Sequence, residues 1–430
     1  MEKDSGSVEK IVLAYSGGLD TSVMLHWLKE RYGCPILAFV ADVGQGEDLE
    51  LVEQKAYQTG ADEVVISDLR ETFVQEFVFP AMQAHAVYEG EYLLGTSLAR
   101  PVIAREQVRV ARDWGANAVA HGATGKGNDQ VRFELTYQSV APELKILAPW
   151  RFWNFEGRAD LIEYAKSKSI SVDSTQDKPY SIDQNVMHTS YEGGILEDPW
   201  QAPPEEIFLR TVSPDKALDS PTEVSIDFEE GIPIKLDGHA LEAVPILEEL
   251  NRLAGSNGVG RVDLVENRMV GMKSRGVYET PGMTVLHRAH RALESITLDR
   301  EVQHFKDELA VRMAELIYYG FWFAPEMQLL LEMIKSSQQD VTGKVRIQLY
   351  RGNCLVKGRK SPFSLYHPSF ATFEADQVYD QGDAEGFIRL QALRLKIQSL
   401  LRQQAKPPRY KSDGETKTSP SESRKGTVRS

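Results

Sequence analysis

A run of small and polar residues at positions 16–22, SGGLDTS, directly follows the first apolar segment of the chain. Two successive glycines let a phosphate approach the backbone closely, and the first amides of a following helix supply unpaired N–H donors. The hydroxyls of the run can donate further hydrogen bonds, and Asp20 is placed to hold Mg²⁺ beside the phosphates. The pattern predicts a phosphate-binding loop. The alternative is a tight turn in which Asp20 or Thr21 only caps the helix.

The spacing of these glycines excludes two common nucleotide-binding motifs. The run lacks the GKS or GKT of a Walker A motif, and it lacks the GxGxxG spacing of a dinucleotide fingerprint. The run resembles the SGGxDS signature of the ATP pyrophosphatases (PP-loop superfamily), here with Thr21 before Ser22. Those enzymes cleave ATP between its α- and β-phosphates, so the resemblance implies that pyrophosphate is bound in this loop.

A second glycine-rich segment, HGATGKGNDQVRFE, occupies positions 121–134. It follows a short strand pattern and offers side chains that suit an amino-acid substrate. The spacing of its glycines and the lack of Ser or Thr after Lys126 argue against a P-loop. Lys126 could offset charge on ATP phosphates, and a solvated loop lysine is the alternative. Asp129 could bind a ligand or serve only as a helix N-cap.

The elements that must position these loops alternate between strand and helix over about the first 175 residues. Each strand pattern is nearly continuously apolar, which predicts a parallel sheet with helices on both faces. The expected fold is therefore an α/β nucleotide-binding domain, and Gly60 is a predicted helix C-cap. The strand patterns are KIVLAY, PILAFVAD, DEVVISD and ANAVAHG.

The pattern changes after about residue 180. Two hairpins are predicted from EVSIDFEEGIPIKLDG and from GKVRIQLYRGNCLVKGRK, and helices are predicted for ALEAVPILEELNRLAG, with a proline inside it, and for two stretches within residues 282–318. These elements indicate an α+β region. The helix EGFIRLQALRLKIQSLLRQ has an apolar stripe that either contacts another subunit or packs on its own domain, and the residues after Lys406 are expected to be disordered.

Composition narrows the class of protein. The 430 residues include 49 basic and 63 acidic side chains, a net charge of −14, which disfavours a nucleic-acid binder. The two cysteines, Cys34 and Cys354, have neither disulfide-framework nor zinc-ligand spacing, and no apolar stretch approaches the roughly 18 residues of a membrane span. We therefore expect a cytoplasmic protein that binds neither nucleic acid nor membranes.

Five segments, taken in order, are similar to the argininosuccinate synthase family: AYSGGLDTS, YLLGTSLARP, HGATGKGNDQVRFE, MHTSYEGGILEDP and GRVDLVENRMVGMKSRGVYETPG. The similarity extends over about residues 9–405. It implies an N-terminal parallel-sheet domain of the adenine nucleotide α-hydrolase type, an α+β synthetase domain and a C-terminal oligomerisation helix in a homotetramer. It also implies a ligase of arginine biosynthesis that joins L-citrulline to L-aspartate and converts ATP to AMP and pyrophosphate through a citrulline adenylate.

The resemblance also implies a role for individual residues and a division of the chain. ATP is expected on Ala14, Tyr15, Ser16, Gly17, Gly18, Leu19, Asp20, Thr21 and Ser22, with Ala41 and Gly122. Citrulline is expected on Tyr92, Ser97, Asn128, Arg132, Ser181, Ser190, Glu266 and Tyr278, and aspartate on Thr124, Asn128 and Asp129. The expected regions are a flexible start (1–8), an ATP-binding domain (9–178), a synthetase domain (179–385), a helix (386–405) and a disordered tail (406–430).

Each of these side chains also has an ordinary structural interpretation. Arg132 alone would more often form a surface salt bridge, Glu266 would be an exposed acid at a strand end, and Tyr92 and Tyr278 would be half-buried core tyrosines. The residues do not identify a general base for the aspartate amine. Two other functions are weighed: a different ATP pyrophosphatase, and a nucleotide-sensing protein without catalysis.

Overall fold

This computed structural model describes residues 7–125, 127–171, 180–369, 371 and 380–404. Lys126, the tail predicted at 406–430 and most of the N-terminal segment predicted to be flexible lie outside these residues. The chain forms two compact units, residues 1–365 and residues 366–430. No helix in the described ranges is long and apolar enough to cross a membrane.

The first sheet is parallel and has the order β3-β2-β1-β4-β5. Alternate residues of β1 point into different cores, since Ile11 and Leu13 pack in one apolar cluster and Val12 in another. Both faces of the sheet are therefore covered, as the apolar strand patterns predicted. The strands are β1 (Ile11–Ala14), β2 (Ile36–Asp42), β3 (Glu63–Asp68), β4 (Ala118–Ala120) and β5 (Lys145–Leu147).

Helices cover both faces of this sheet, and a π-helical segment, Val74–Val78, joins two of them. The helices are α1 (Leu19–Tyr32), α2 (Leu49–Thr59), α3 (Arg70–Phe73), α4 (Phe79–Gln83), α5 (Gly95–Trp114), α6 (Asp129–Val140) and α7 (Arg158–Ser167).

The strand order reverses between β1 and β4, because the chain adds β2 and β3 on one side of β1 and then returns to the other. Ligands of open α/β sheets bind at the carboxyl ends of the strands at such a switch point. The buried Gln107 of α5 fixes this pair of strands, since its amide donates to the carbonyls of Val12 at 2.8 Å and Ala120 at 2.9 Å. Both glycine-rich loops follow these two strands directly.

The second half of the larger unit contains two antiparallel sheets, with the orders β10-β9-β8-β13-β14 and β11-β12-β7-β6. Both predicted hairpins are present, as β8–β9 and β13–β14. The strands are β6 (Ser181–Gln184), β7 (Thr189–Glu192), β8 (Thr222–Glu229), β9 (Ile232–Leu236), β10 (His239–Ala240), β11 (Arg261–Asn267), β12 (Lys273–Glu279), β13 (Gly343–Tyr350) and β14 (Asn353–Lys360).

The predicted helices of this half are also present: α8 (Ala243–Ser256), α9 (Pro281–Thr297) and α10 (Arg300–Tyr318), followed by α11 (Pro325–Ser337). The proline expected inside α8 lies in its first turn, where the missing N–H interrupts no helical hydrogen bond. In the smaller unit, α12 (Asp383–Gln404) has no buried residue within the described part, and Phe387 and Leu390 are among its exposed apolar side chains.

A buried polar cluster lies beside the antiparallel five-stranded sheet, where His290 contacts Phe228 of β8. Because the Gln338 amide donates to Glu294, its oxygen accepts from Nε2–H of His290 at 2.8 Å. His85 donates to Glu294 at 2.6 Å. The ligand atoms of His85, His290 and Glu294 lie within 4.8 Å of one another, but the ammonium of Lys306 lies 2.9 Å from Glu294 and already neutralises that carboxylate. We therefore interpret the cluster as a hydrogen-bond network rather than a metal site.

Helix α2 provides a direct test of a local stabilising contact. The Asp48 carboxylate accepts hydrogen bonds from the amides of Glu50 at 3.1 Å and Leu51 at 3.2 Å, and Gly60 ends the helix at φ 110° as predicted. We expect Asp48→Ala to lower the free energy of unfolding by about 1 kcal/mol, because it leaves two amides uncapped. Urea denaturation measures this loss, with Asp48→Asn as a control that retains the acceptor. Equal losses in both variants would contradict the capping role.

Candidate active site

A cavity of about 1110 Å³ lies between the carboxyl ends of the parallel sheet and the four-stranded sheet. Most of the residues predicted to bind a substrate line this cavity. These residues are Ala14, Tyr15, Ser16, Asp20, Thr21, Ala41, Tyr92, Gly122, Thr124, Asn128, Asp129, Arg132, Ser181, Ser190, Glu266 and Tyr278. The other predicted residues, Gly17, Gly18, Leu19, Ser22 and Ser97, do not line it.

The two glycines of the first loop differ in whether the backbone requires a glycine. Gly17 has φ +72°, and a Cβ there would lie 3.2 Å from Val52, so the backbone itself requires glycine. Gly18 has φ −71° and is the N-cap of α1, and a Cβ there would meet only the Ser16 hydroxyl at 3.5 Å. The fold therefore requires glycine at Gly17 and tolerates a methyl group at Gly18.

No side chain in the described residues caps the start of α1. The Thr21 hydroxyl instead pairs with the Ser16 hydroxyl at 3.1 Å, so the interpretation of Asp20 or Thr21 as an N-cap is wrong. Burial raises the pKa of the Asp20 carboxyl, which the cation of Arg158 partly offsets. The helix amides and hydroxyls remain as donors for an anion at this end of the cavity.

Ser22 and Tyr15 have a different place in the loop. The Ser22 hydroxyl is buried and lies 3.0 Å from the phenol of Tyr15. Burial also raises the pKa of Tyr15. Ser22 thus fixes the side chain of Tyr15, and Tyr15 lines the cavity.

The second loop contacts the first. A Cβ on Gly122 would lie 3.0 Å from the Thr21 side chain, so the two loops meet at the switch point between β1 and β4. Helix α6 begins at Asp129, but the carboxylate of Asp129 does not cap it. That carboxylate is bound by Arg100 at 2.9 Å and by Arg132 at 2.8 Å. The N-cap interpretation of Asp129 is wrong.

The charges of this pair of loops are set by neighbouring groups. Burial acts to raise the pKa of Asp129, but Arg100 and Arg132 outweigh it and hold that pKa below its ordinary value. Asp129 is therefore an acceptor at neutral pH and not a proton donor. Arg132 is only 4% exposed and its partner Asp129 is partly exposed, so the surface salt-bridge interpretation of Arg132 is wrong.

Tyr92, Tyr278 and Glu266 form another part of the cavity lining. Glu266 is 7% exposed and accepts hydrogen bonds from the phenols of Tyr278 at 2.8 Å and Tyr318 at 2.6 Å. It is not the exposed strand-end acid of the alternative interpretation. The ring of Tyr92 stacks on that of Tyr278 with centroids 4.4 Å apart, and burial raises the pKa of Tyr92 to about 12.

Two predicted residues leave a buried polar atom without a hydrogen-bond partner in the described structure. These atoms are the Oδ1 of Asn128 and the hydroxyl of Ser97. An unpaired buried polar atom costs about 1–3 kcal/mol, so such an atom on a residue that lines the cavity is a candidate for pairing with a ligand. Asn128 lines the cavity, whereas Ser97 lies behind its wall.

Sequence reasoning missed several charged groups in the cavity. Arg100 bridges Asp129 and Asp183, with a distance of 2.7 Å to the latter, and Thr96 donates to Asp183 at 3.1 Å. Arg268 of the β11–β12 hairpin pairs with Glu192 at 2.6 Å. The separation of Thr96 and Arg100 by one helical turn was the available signal, since it places both on one face of α5.

Comparison with known proteins decides the family. The model described as the arginosuccinate synthase N-terminal HUP domain matches residues 10–171, and that described as the arginosuccinate synthase C-terminal domain matches residues 180–398. The chain belongs to the argininosuccinate synthase family. Within this family, the N-terminal match contains both glycine-rich loops, and the C-terminal match contains Glu266 and Tyr278.

Individual relatives align with this chain over almost their whole length. The argininosuccinate synthase of Syntrophus aciditrophicus is 59% identical over 92% of this chain and 99% of its own, and that of Desulfotalea psychrophila is 60% identical over the same shares. A solved U34-tRNA thiolase from Methanococcus maripaludis is 16% identical over 40% of this chain and 59% of its own, with a TM-score of 0.28, which is too weak to inform function.

Proposed function

We propose that the chain is an ATP-dependent ligase that joins L-citrulline to L-aspartate, releasing AMP and pyrophosphate in arginine biosynthesis. Membership of the argininosuccinate synthase family supports the reaction. The meeting of the two glycine-rich loops at the switch point, beside the Asn128–Arg132 segment, is the observation that carries the site assignment. This end of the sheet combines unpaired helix amides with buried polar groups suited to amino acids.

ATP is proposed to bind along the first loop, with its β- and γ-phosphates against the uncapped start of α1. Ala41 at the end of β2 and Gly122 would adjoin the nucleotide. The hydroxyl oxygens of Ser16 and Thr21 and the carboxylate of Asp20 are ligands that fit Mg²⁺. In proteins, Mg²⁺ is bound by one or two carboxylates together with substrate phosphates and water. Mg²⁺ would offset phosphate charge there, and Asp20 is the residue proposed to hold it.

Citrulline is proposed to lie between Arg132 and Glu266. The Arg132 guanidinium suits the α-carboxylate, and the Glu266 carboxylate suits the α-ammonium. Tyr92, Ser97, Asn128, Ser181, Ser190 and Tyr278 complete the proposed subsite. Thr124, Asn128 and Asp129 would hold aspartate, so that Asn128 contacts both amino acids.

The chemistry proposed has two steps. The ureido oxygen of citrulline attacks the α-phosphorus of ATP, and the bond to pyrophosphate breaks. The aspartate amine then attacks the ureido carbon, and AMP leaves with the oxygen of citrulline. A ureido carbon is a poor electrophile because two nitrogens donate electrons into it, and adenylation supplies the leaving group that it lacks. Catalysis rests on positioning and on stabilisation of charge by the loop amides.

The reaction is tested by measuring pyrophosphate and AMP with each substrate omitted in turn. We expect pyrophosphate only when ATP and citrulline are both present, and AMP and argininosuccinate only when aspartate is added as well. Citrulline labelled with ¹⁸O in its ureido group should transfer the label to AMP. Accumulation of ADP, or unlabelled AMP, would contradict the two-step chemistry, and ATP binding without turnover would favour a nucleotide sensor.

Assembly and location complete the proposal. We propose a cytoplasmic homotetramer in which α12 binds neighbouring subunits, because its apolar side chains are exposed within the described residues. The expected division of the chain at residues 178 and 385 is kept as part of this proposal. Sedimentation of the full chain, compared with a chain that ends before α12, tests the role of the helix. The same number of subunits in both assemblies would contradict it.

A further inference from the structure

We infer that Tyr318 is a positioning residue that couples the two amino-acid subsites, through a phenol that links Glu266 to Asn128. The inference rests on the proposed function. Tyr318 is the last residue of α10, it is fully buried, and it does not line the cavity. It therefore acts on substrates only through the residues that it holds.

The direction of the hydrogen bonds follows from the chemistry of the groups. The Tyr318 hydroxyl lies 2.6 Å from Oε1 of Glu266 and 3.0 Å from Nδ2 of Asn128. An ionised carboxylate only accepts, so the single phenolic proton goes to Glu266. The phenol oxygen must then accept from the Asn128 amide, which fixes the orientation of that amide.

This orientation has a consequence for the cavity. With Nδ2 held by Tyr318, the Oδ1 of Asn128 is left buried and without a partner in the described structure. A free amide oxygen at this place can accept only from a donor, and the amine of aspartate and the ureido N–H groups of citrulline are both donors. The Tyr318 phenol thus selects which end of the Asn128 amide the substrates meet.

The backbone and ring of Tyr318 hold a third site residue. Its carbonyl accepts from Nε of Arg132 at 3.0 Å, and the guanidinium lies 5.0 Å from its ring centroid. The chain then turns at Gly320, where φ is +86° and a Cβ would lie 2.8 Å from Cα of Arg132. One buried tyrosine therefore contacts residues of β11, of the α6 N-terminus and of α6 itself.

Replacement of Tyr318 by Phe separates the hydroxyl from these other contacts, because it keeps the ring and the carbonyl. We expect the KM values for citrulline and for aspartate each to rise about tenfold, the loss typical of one hydrogen bond to a charged group, with the KM for ATP unchanged. A merely structural role would not separate the amino acids from ATP.

The neighbouring Tyr88 supplies a matched control. Its ring stacks on that of Tyr318 with centroids 3.8 Å apart, and its hydroxyl donates to the Asn267 carbonyl at 2.7 Å rather than to a proposed substrate-binding side chain. Tyr88→Phe removes an equivalent phenol from the same stack. We expect it to leave all three KM values within about twofold of the parent, while the thermal midpoints of the two variants report any general loss of stability.

A second comparison holds even where Tyr318→Phe is less stable than its control. If the phenol acts on aspartate through Asn128, adding Tyr318→Phe to Asn128→Ala leaves the aspartate KM where Asn128→Ala alone puts it. Additive increases, unchanged KM values in Tyr318→Phe, or an equal rise for ATP would each overturn the inference. A parent without AMP and pyrophosphate production would overturn the proposed function and the inference together, whereas an active parent isolates the inference.

Discussion

Gly18→Ala is expected to lower the turnover of ATP by at least about 100-fold while leaving the fold and its stability unchanged. The added methyl group has room in the free protein, where its nearest contact is the Ser16 hydroxyl at 3.5 Å. It would occupy the position against which the departing pyrophosphate is proposed to lie. A displaced pyrophosphate would lose hydrogen bonds from the loop amides. Loss of one preorganised donor to developing charge typically costs 10²–10³-fold in rate.

Gly157→Ala is the matched control for this substitution. Gly157 is also a helix N-cap with extended backbone, and a Cβ there would meet nothing within 4 Å. Steady-state release of pyrophosphate and thermal unfolding are measured for both variants. Near-normal turnover in Gly18→Ala would show that pyrophosphate does not rest in this loop. A large loss in Gly157→Ala would show that a methyl group at a helix N-cap is harmful for other reasons.

The protein is also expected to lose much of its stability between about pH 7 and pH 5. Burial lowers the pKa of His188 to about 3, to which the cation of Arg210 contributes, and lowers that of His287 to about 4. Burial likewise lowers the pKa of His85 and of His290. The imidazoles of His188 and His287 are therefore neutral in the folded chain at pH 5.

The sign of the effect follows from where the protons bind. An unfolded histidine has a pKa of about 6.5, so below that pH the unfolded chain takes up protons that the folded chain does not. The free energy of unfolding then falls as the pH falls. At pH 5 the loss is roughly 2 kcal/mol for each histidine, or about 4 kcal/mol for His188 and His287 together. Total stabilities are only about 5–15 kcal/mol.

Charged groups around His85, His290 and Glu294 also make the folded chain less stable as the pH falls. Burial acts to raise the pKa of Glu294, but His290, His85 and Lys306 outweigh it and hold that pKa well below its ordinary value. Arg291 lies 3.8 Å from the same carboxylate. Protonation of Glu294 would remove the acceptor of these donors, so more acidic solutions destabilise the fold further.

Urea denaturation at pH 7.5 and pH 5.0 measures this loss. His287→Gln should shrink the difference between the two pH values by roughly 2 kcal/mol, because one partly buried imidazole with a lowered pKa is removed. His239→Gln removes an exposed imidazole on β10 and serves as the control for exchanging a histidine for glutamine. Equal stability of the parent at both pH values, or the same shrinkage in both variants, would contradict the assignment.

The parts of the fold that could be predicted are those with local signals. Continuous apolar runs identified β1 to β4, and Gly60 marked the end of α2. Strand β5, which like β4 has three residues, was not predicted, and the π-helical segment at 74–78 has no recognisable local pattern. These elements are set by tertiary packing, which outweighs local propensity.

The candidate site divides in the same way. Gly17 and Gly18 could be predicted from a strand, two glycines and a helix, whereas the roles expected of Asn128 and Glu266 came from family resemblance. Tyr318 could not be predicted, because it lies 190 positions after Asn128 in the chain and carries no motif. Long-range contacts between polar side chains leave no periodic pattern in one sequence.

The strand order has a consequence for how the protein is made. β1 pairs with β2 and also with β4, where Ile11 is opposite Ala118. In a chain emerging from the ribosome, the first glycine-rich loop is therefore synthesised before β4 and the second loop are available to pack beside it. A nascent chain that ends before the second loop has only half of the proposed nucleotide site, so nucleotide binding cannot guide the earliest folding.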